Sequence, residues 1–218
     1  MDNKKQFIVF GLGRFGRSVA LTLQELGLDV LGVDNDEAVV QSLSDQLTHV
    51  VSTDITDEKS LRALGTGNFD TAVIAVGDLG PSLMCTMLCK ELGVKQVVVK
   101  AINEHHDKMV RKLGADRVVH SEKDMGCRVA HNLVSNNIVD YIELSDDINI
   151  ISLKVPAAVV GKNLIEANFR KRYQVNIVAI RHGSEVTVNP EPTTVLVKDD
   201  ELIVIGVAET IKKFEELV

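Results

Sequence analysis

Phe7-Ile8-Val9-Phe10-Gly11-Leu12-Gly13-Arg14-Phe15-Gly16 is an apolar run that breaks into three spaced glycines and passes into the amphipathic segment Ser18 to Leu26. It predicts a strand, a tight turn and a helix. The three glycines do different things. Gly11 permits the turn, Gly13 lets the backbone approach a pyrophosphate, and Gly16 lets the helix lie close to the strand. An anion placed there meets unpaired N–H groups and the positive end of the helix dipole. Asp34 ends the next apolar run, Val30-Leu31-Gly32-Val33, about 18 residues past Gly16, near the spacing of a ribose-binding carboxylate. A loop that merely needs small residues does not account for Asp34, so the stretch reads as a nucleotide-binding βαβ unit.

Beyond it the chain alternates. A helix from about Glu37 to Gln46 leads into a short strand, His49-Val50-Val51, with Thr53-Asp54 at its end and a helix over Asp57 to Leu64. The C-terminal ends of strands line the ligand crevice of an open parallel sheet, which would put Asp54 near the base or ribose. The alternative is an ordinary residue of the Thr53 to Asp57 turn. Thr71 to Val76 is apolar on both faces, as a central parallel strand is, and ends at Gly77-Asp78. Then come a helix over Pro81 to Leu92, a strand Gln96 to Lys100, a helix Glu104 to Leu113 and a strand Arg117 to Val119. This alternation predicts an α/β fold, a Rossmann-like doubly wound parallel sheet.

Ser121-Glu122-Lys123-Asp124 opens a further helix to about Ser135, with Ser121 as N-cap and Asp124 in the capping-box position. From Val139 the pattern changes. Strand-like runs Ile150 to Leu153, Asn176 to Ile180, Glu185 to Val188 and Glu201 to Ile205 are joined by turns, and a helix Ala208 to Leu217 closes the chain. Residues 1–138 therefore form the parallel-sheet domain and 139–218 a second, smaller α+β domain, with Asn136 to Leu144, Tyr141 included, as the hinge.

Composition narrows the function. The net charge is −7, with no basic block, which argues against nucleic acid, since that binding needs clustered Lys and Arg. No apolar run approaches the ~20 residues that span a bilayer, and the N-terminus lacks a signal-peptide core, so a cytoplasmic location is expected. Cys85, Cys89 and Cys127 suit a reducing compartment. Cys85 and Cys89, at i, i+4, are expected in the core rather than on a metal. His105-His106 with Asp107 could suggest a metal, but adjacent histidines point to different helix faces, and a solvated helix start is expected.

Gly11 to Gly16, the Leu113-Gly114-Ala115-Asp116-Arg117 turn, the Ser121-Glu122-Lys123-Asp124-Met125-Gly126 helix start and the block from Gly161-Lys162 to Ile205 together resemble the regulators of potassium conductance. Within these the chain is most similar to the cytosolic subunits of Ktr-type potassium transporters, over essentially its whole length. The resemblance implies a homo-oligomer of dimers assembled into an octameric ring, docked on a membrane-embedded potassium-translocating subunit and so peripheral on the inner face of the membrane. It implies ATP as the activating and ADP as the inactivating ligand. Carried onto this sequence, Gly11, Gly13 and Gly16 hold phosphates, Asp34 the ribose, and Asp54 lies by the adenine. Arg14 reaches a γ-phosphate, that of a neighbouring subunit, and Phe15, Gly77 and Lys100 complete the implied site. A guanidinium at the glycine turn can read one extra phosphate charge; without the family, Arg14 is an exposed helix arginine.

Glu122 matches a family glutamate near the dimer interface that helps to hold an activating cation, monovalent or divalent. Two carboxylates facing across a two-fold axis repel unless a cation or proton lies between them. Taken alone, Glu122 is an acid that complements a helix dipole. In the C-terminal domain Leu164, Ile165, Ala167, Phe169-Arg170, Asn176 and Ile177 match a pocket for cyclic di-AMP, an inhibiting ligand, at that domain's dimer interface. Aliphatic groups can cover adenine, Arg170 can pair with phosphate and the Asn176 amide can bond base or phosphate. The aliphatic positions equally suit a core, and Phe169, where relatives often carry an aliphatic residue, departs from the pattern.

A nicotinamide-dependent oxidoreductase would need a general acid or base and a larger substrate domain; the sequence offers neither, nor a G-x-x-x-x-G-K-[ST] loop. An NAD(H)-sensing Trk-type regulator also fits Asp34. Arg14 favours ATP, because NAD has no γ-phosphate. The expectation is therefore a gating subunit and not an enzyme.

Overall fold

Strand β1 (Gln6–Phe10) lies between β2 (Asp29–Asp34) and β4 (Thr71–Ile74), parallel to both. With β3 (His49–Ser52), β5 (Gln96–Lys100) and β6 (Arg117–Val119) it makes a six-stranded parallel sheet in the order β3-β2-β1-β4-β5-β6. The order reverses between β1 and β4, and a crevice outside the strand ends is expected at that point. The computed structural model describes residues 5–134, 138–145 and 147–215. The chain divides into two compact units, Met1–Glu122 and Lys123–Val218.

Helices cover both faces of the first sheet. They are α1 (Arg14–Glu25), α2 (Glu37–Leu43), α3 (Glu58–Ala63), α4 (Leu79–Glu91) and α5 (Glu104–Lys112). One core gathers Ile8, Phe10, Ile74, Leu88 and Val97; the other gathers Val9, Leu12, Val30, Leu43 and Val73. Alternate residues of β1 thus serve opposite faces, as the two-residue period of a strand requires, and every residue of β4 is buried. Helix starts are fixed by side chains: Asp36 accepts from the Ala38 N–H, Asp57 from Ser60, and Asn103 from His106, each satisfying an otherwise orphaned donor.

Cys85 and Cys89 are buried on α4 with their Sγ atoms 4.0 Å apart, both free thiols. His106 differs from the expected solvated helix start: it is fully buried, and its Nδ1 accepts the Ile102 N–H at 3.1 Å. The Asn103 cap sets the helix phase so that His106 and Val110, four residues apart, both turn inward. Burial holds the His106 pKa below the ordinary histidine value.

Helix α6 (Ser121–Val134) begins at Ser121 itself, whose hydroxyl donates to Glu122 at 2.8 Å; the expected N-cap is thus a first-turn residue. In the second unit β7 (Ile138–Ser145), β8 (Ile148–Lys154), β9 (Asn176–His182), β10 (Glu185–Val188) and β11 (Glu201–Val207) form an antiparallel sheet, β10-β9-β11-β8-β7. Residues 135–137 lie outside the described residues, and the rest of the expected hinge is edge strand β7, paired with β8. Helices α7 (Leu164–Ala167), α8 (Phe169–Tyr173) and α9 (Ala208–Glu215) complete the unit. Its core joins Ile151, Leu153, Leu202 and Val204 of the sheet to Phe169, Ile211 and Phe214. The Phe169 and Phe214 rings meet edge to face, centroids 5.9 Å apart, a favoured aromatic geometry. Among the described residues no helix is long and apolar enough to cross a membrane.

Candidate functional site

The strand-to-helix turn after β1 is the tightest part of the first unit. Gly11 sits at φ +83°, a region that L side chains rarely adopt, and its N–H continues the β-ladder to the Val33 carbonyl at 2.8 Å. A Cβ on Gly16 would fall 1.8 Å from the Gly11 carbonyl oxygen and 3.0 Å from the Ala75 Cβ. Only glycine lets α1 come this close to the turn. Gly13 is different: nothing lies within 4 Å of the place its Cβ would take, and it caps α1 in extended conformation. It presents the helix N-terminus to open space.

That space is a cleft of about 260 Å³. Its walls come from the C-terminal ends of four neighbouring strands: Gly11 and Gly13 after β1, Asp34 and Asn35 at β2, Asp54, Ile55 and Thr56 after β3, and Ala75, Val76, Gly77, Asp78 and Pro81 after β4. The Asp34 carboxylate accepts the Leu12 N–H at 2.6 Å and the Asp36 N–H at 3.0 Å. It therefore ties the glycine turn to the start of α2 while facing the cleft. Asp54 Oδ1 accepts both the hydroxyl (2.7 Å) and the N–H (2.8 Å) of Thr56. These bonds, the hydroxyl first, hold the Asp54 carboxyl below the usual carboxylate range.

Of the residues expected at a nucleotide site, Gly11, Gly13, Asp34, Asp54 and Gly77 meet around this cleft. Gly16 lies beneath the turn, and Phe15 is half-buried against the core cluster that includes Leu12. Arg14 opens α1 and is exposed. Lys100 and Glu122 do not line the cleft and pair with each other, Nζ to Oε1 at 2.8 Å. Lys100, then Ser121, lowers the Glu122 pKa to about 2. Among the described residues no group of three or more His, Cys, Asp or Glu is arranged to hold a metal. Asn35, Thr56 and Asp78, not among the expected site residues, also line the cleft; in the sequence their signal is only their place just past an apolar strand run.

In the second unit Arg170 Nε donates to Asn176 Oδ1 at 2.8 Å, linking α8 to the start of β9 on an exposed surface. Ile165 is 62% exposed, Ala167 is fully buried, and Leu164 and Ile177 are half-buried against the core. Asn163 caps α7 reciprocally with Glu166, and α7 hands over to α8 through Asn168 at φ 51°. This local frame sets Arg170 and Asn176 side by side.

Fold and cleft define a Rossmann-like α/β protein with a crevice at its topological switch point and a separate antiparallel-sheet domain. The TrkA-N domain family matches residues 7–121 and the TrkA-C domain family residues 148–218. The chain is 44% identical over 216 residues to Ktr system potassium uptake protein C of Bacillus subtilis (strain 168), covering 99% of this chain and 98% of that one. It is 39% identical over 212 residues to Ktr system potassium uptake protein A of the same organism, covering 97% and 96%. Among solved structures, the GsuK RCK domain superposes with a TM-score of 0.56 at 25% identity, over 99% of this chain and 46% of that one. The chain belongs to the TrkA-N/TrkA-C family of Ktr system potassium uptake proteins.

Proposed function

We propose that this chain is the cytoplasmic gating subunit of a Ktr-type potassium uptake system, peripheral on the inner membrane face through a membrane-embedded potassium-translocating partner. The observation that carries the reading is the glycine turn locked to Asp34 above an open cleft, in a chain that matches Ktr proteins over nearly its full length. Residues 1–138 serve as the nucleotide-binding part and 139–218 as the ligand-sensing part.

ATP and ADP occupy the cleft, with phosphates at Gly11, Gly13 and Gly16, ribose at Asp34 and base toward Asp54. Phe15, Gly77 and Lys100 frame and support that site. Arg14, exposed at the head of α1, is free to meet the γ-phosphate held by a neighbouring copy. ATP and ADP thus differ at a subunit boundary, and a ligand shifts an equilibrium between ring arrangements only by its differential affinity for them. A cation at Glu122 would compete with the Lys100 ammonium already there, so its remaining ligands come from a second copy or from phosphate. Cyclic di-AMP is the ligand proposed for the surface around Leu164, Ile165, Ala167, Arg170, Asn176 and Ile177, favouring the inactive ring of dimers, an octamer. The role is gating, not catalysis.

The test is potassium flux through the reconstituted transporter with ATP or ADP. ATP should activate the wild type, and Arg14→Ala should abolish the difference between the nucleotides. Intact ATP activation in Arg14→Ala would remove the phosphate-reading role. Wild-type cyclic di-AMP affinity in Arg170→Ala would remove the second-unit assignment.

A further inference from the structure

We propose that His106 is an acid-released latch on the loop between β5 and α5: its neutral imidazole holds the loop closed, and a proton on Nδ1 opens it. Asn103 caps α5 by accepting the His106 N–H at 2.9 Å, and the His106 ring reaches back to accept the Ile102 N–H at 3.1 Å. This is the reciprocal layout of a capping box, with histidine in the place of the usual Glu or Gln and its bond made to the residue just before the cap. Helix α7 carries the ordinary version: Asn163 accepts the Glu166 N–H at 2.9 Å, and the Glu166 carboxylate accepts the Asn163 N–H at 3.0 Å. A carboxylate stays a pure acceptor down to about pH 4, whereas histidine loses its acceptor at about pH 6.5.

Because Nδ1 accepts, the neutral ring carries its hydrogen on Nε2, and Nε2 is buried with no partner among the described residues. A further proton has to enter at Nδ1. There it sets a donor against the Ile102 N–H and puts a charge on a side chain with no exposed surface, and both costs vanish when the loop swings away. Among the described residues Asp107, next on α5, is the charged group whose field reaches the ring; it favours the charged form, and burial outweighs it. Asp107 is itself bound by Arg111 and His120. Helix α4 packs beside α5 and buries Ser82, Cys85, Thr86, Leu88 and Cys89, none of them charged, the Cys85 thiol being pushed well up by burial. Lys100 is turned to Glu122. The Ile102 side chain is 43% exposed, so little packing holds the loop besides the latch. The loop runs on from Lys100, and the Ala101 N–H donates to the Val119 carbonyl at 2.9 Å, so opening it loosens the frame of the Lys100–Glu122 pair at the head of α6.

Hydrogen exchange of the full chain reads the latch, followed by mass spectrometry on overlapping peptides that isolate the Ile102 amide and corrected for the intrinsic pH dependence of exchange. Opening should grow as pH falls below about 6.5, the value of a histidine in the open loop, and by no more than tenfold per unit. Ile102 protection should therefore drop several-fold, at most ~10-fold, between about pH 7.5 and 5.5, while β1 amides keep theirs. His106→Gln, which retains an acceptor that no proton blocks, should hold Ile102 protected at both pH values, and His120→Gln should leave the wild-type drop in place. Wild-type protection that does not change with pH would overturn the proposal, as would an equal drop in His106→Gln, its loss in His120→Gln, or a drop shared by β1. Should His106→Gln not fold, the wild-type and His120→Gln profiles decide.

Discussion

Replacing Gly16 by alanine is the sharpest perturbation of the nucleotide turn. The added methyl would sit 1.8 Å from the Gly11 carbonyl oxygen, where a C···O contact normally needs about 3.3 Å. Helix α1 or the turn must therefore shift by roughly 1.5 Å, a figure set by that 3.3 Å contact. The Ala75 Cβ, 3.0 Å away on the other side, blocks part of the retreat. Overpacking of this kind costs about 1–3 kcal/mol and more when backbone is the obstacle. At about 3 kcal/mol the unfolding midpoint falls by roughly 6–12 °C for a chain of this size. Gly13→Ala is the matched control, because nothing lies within 4 Å of its Cβ position and its φ is −64°; it should leave ligand-free stability within about 0.5 kcal/mol while weakening nucleotide binding. Thermal unfolding without ligand and ADP titration of both variants read the two effects separately. A Gly16→Ala protein as stable as the wild type, or equal destabilisation by both changes, would refute this reasoning.

Asp34→Ala orphans the Leu12 and Asp36 N–H groups and should cost about 1–3 kcal/mol in urea unfolding as well as ADP affinity; a loss of affinity alone would mean that the turn holds without Asp34. Thiol titration of the native protein should give one fast cysteine, exposed Cys127, and two slow ones, since burial pushes the Cys85 thiol well up; three fast thiols would contradict the α4 core. His182 Nδ1 lies 2.5 Å from Asp200 Oδ1, and this bond raises the His182 pKa. Its stabilising share is full below the unfolded histidine value near 6.5 and is lost as pH rises through the raised folded value. His182→Gln should therefore remove a decline in second-unit stability above pH ~6.5; an unchanged pH profile would dismiss the pair.

The parallel sheet was legible because local signals agreed: apolar runs with glycine or acid at their ends, separated by helical periods, gave all six strands and the crevice at Gly11, Asp34 and Asp54. Chemistry that needs distant residues was not. Lys100 and Glu122 are 22 positions apart and meet only because β5 and β6 are neighbours. His106 stands in the polar run Glu104-His105-His106-Asp107-Lys108, where composition signals solvent, and only the phase set by Asn103 turns it inward. Helix α1 starts at Arg14 rather than near Ser18 because the glycines that form the turn are also tolerated in a helix's first turn. Strand β7 carried an alternation at Ile142-Glu143-Leu144 that its position between two domains obscured, and its pairing with β8 is long-range information. In the second unit Arg170 and Asn176 were picked out by resemblance, and their contact depends on the α8 to β9 connection.

The most direct test of the gating account is calorimetric titration of the whole chain with ATP, ADP, NADH and cyclic di-AMP in separate experiments, alongside residues 139–218 alone. The account predicts ATP and ADP binding to the whole chain, weakened in Gly13→Ala, and cyclic di-AMP binding to both samples. Selective NADH binding with no cyclic di-AMP signal would contradict it and leave a redox-sensing regulator with no ligand site in its second unit.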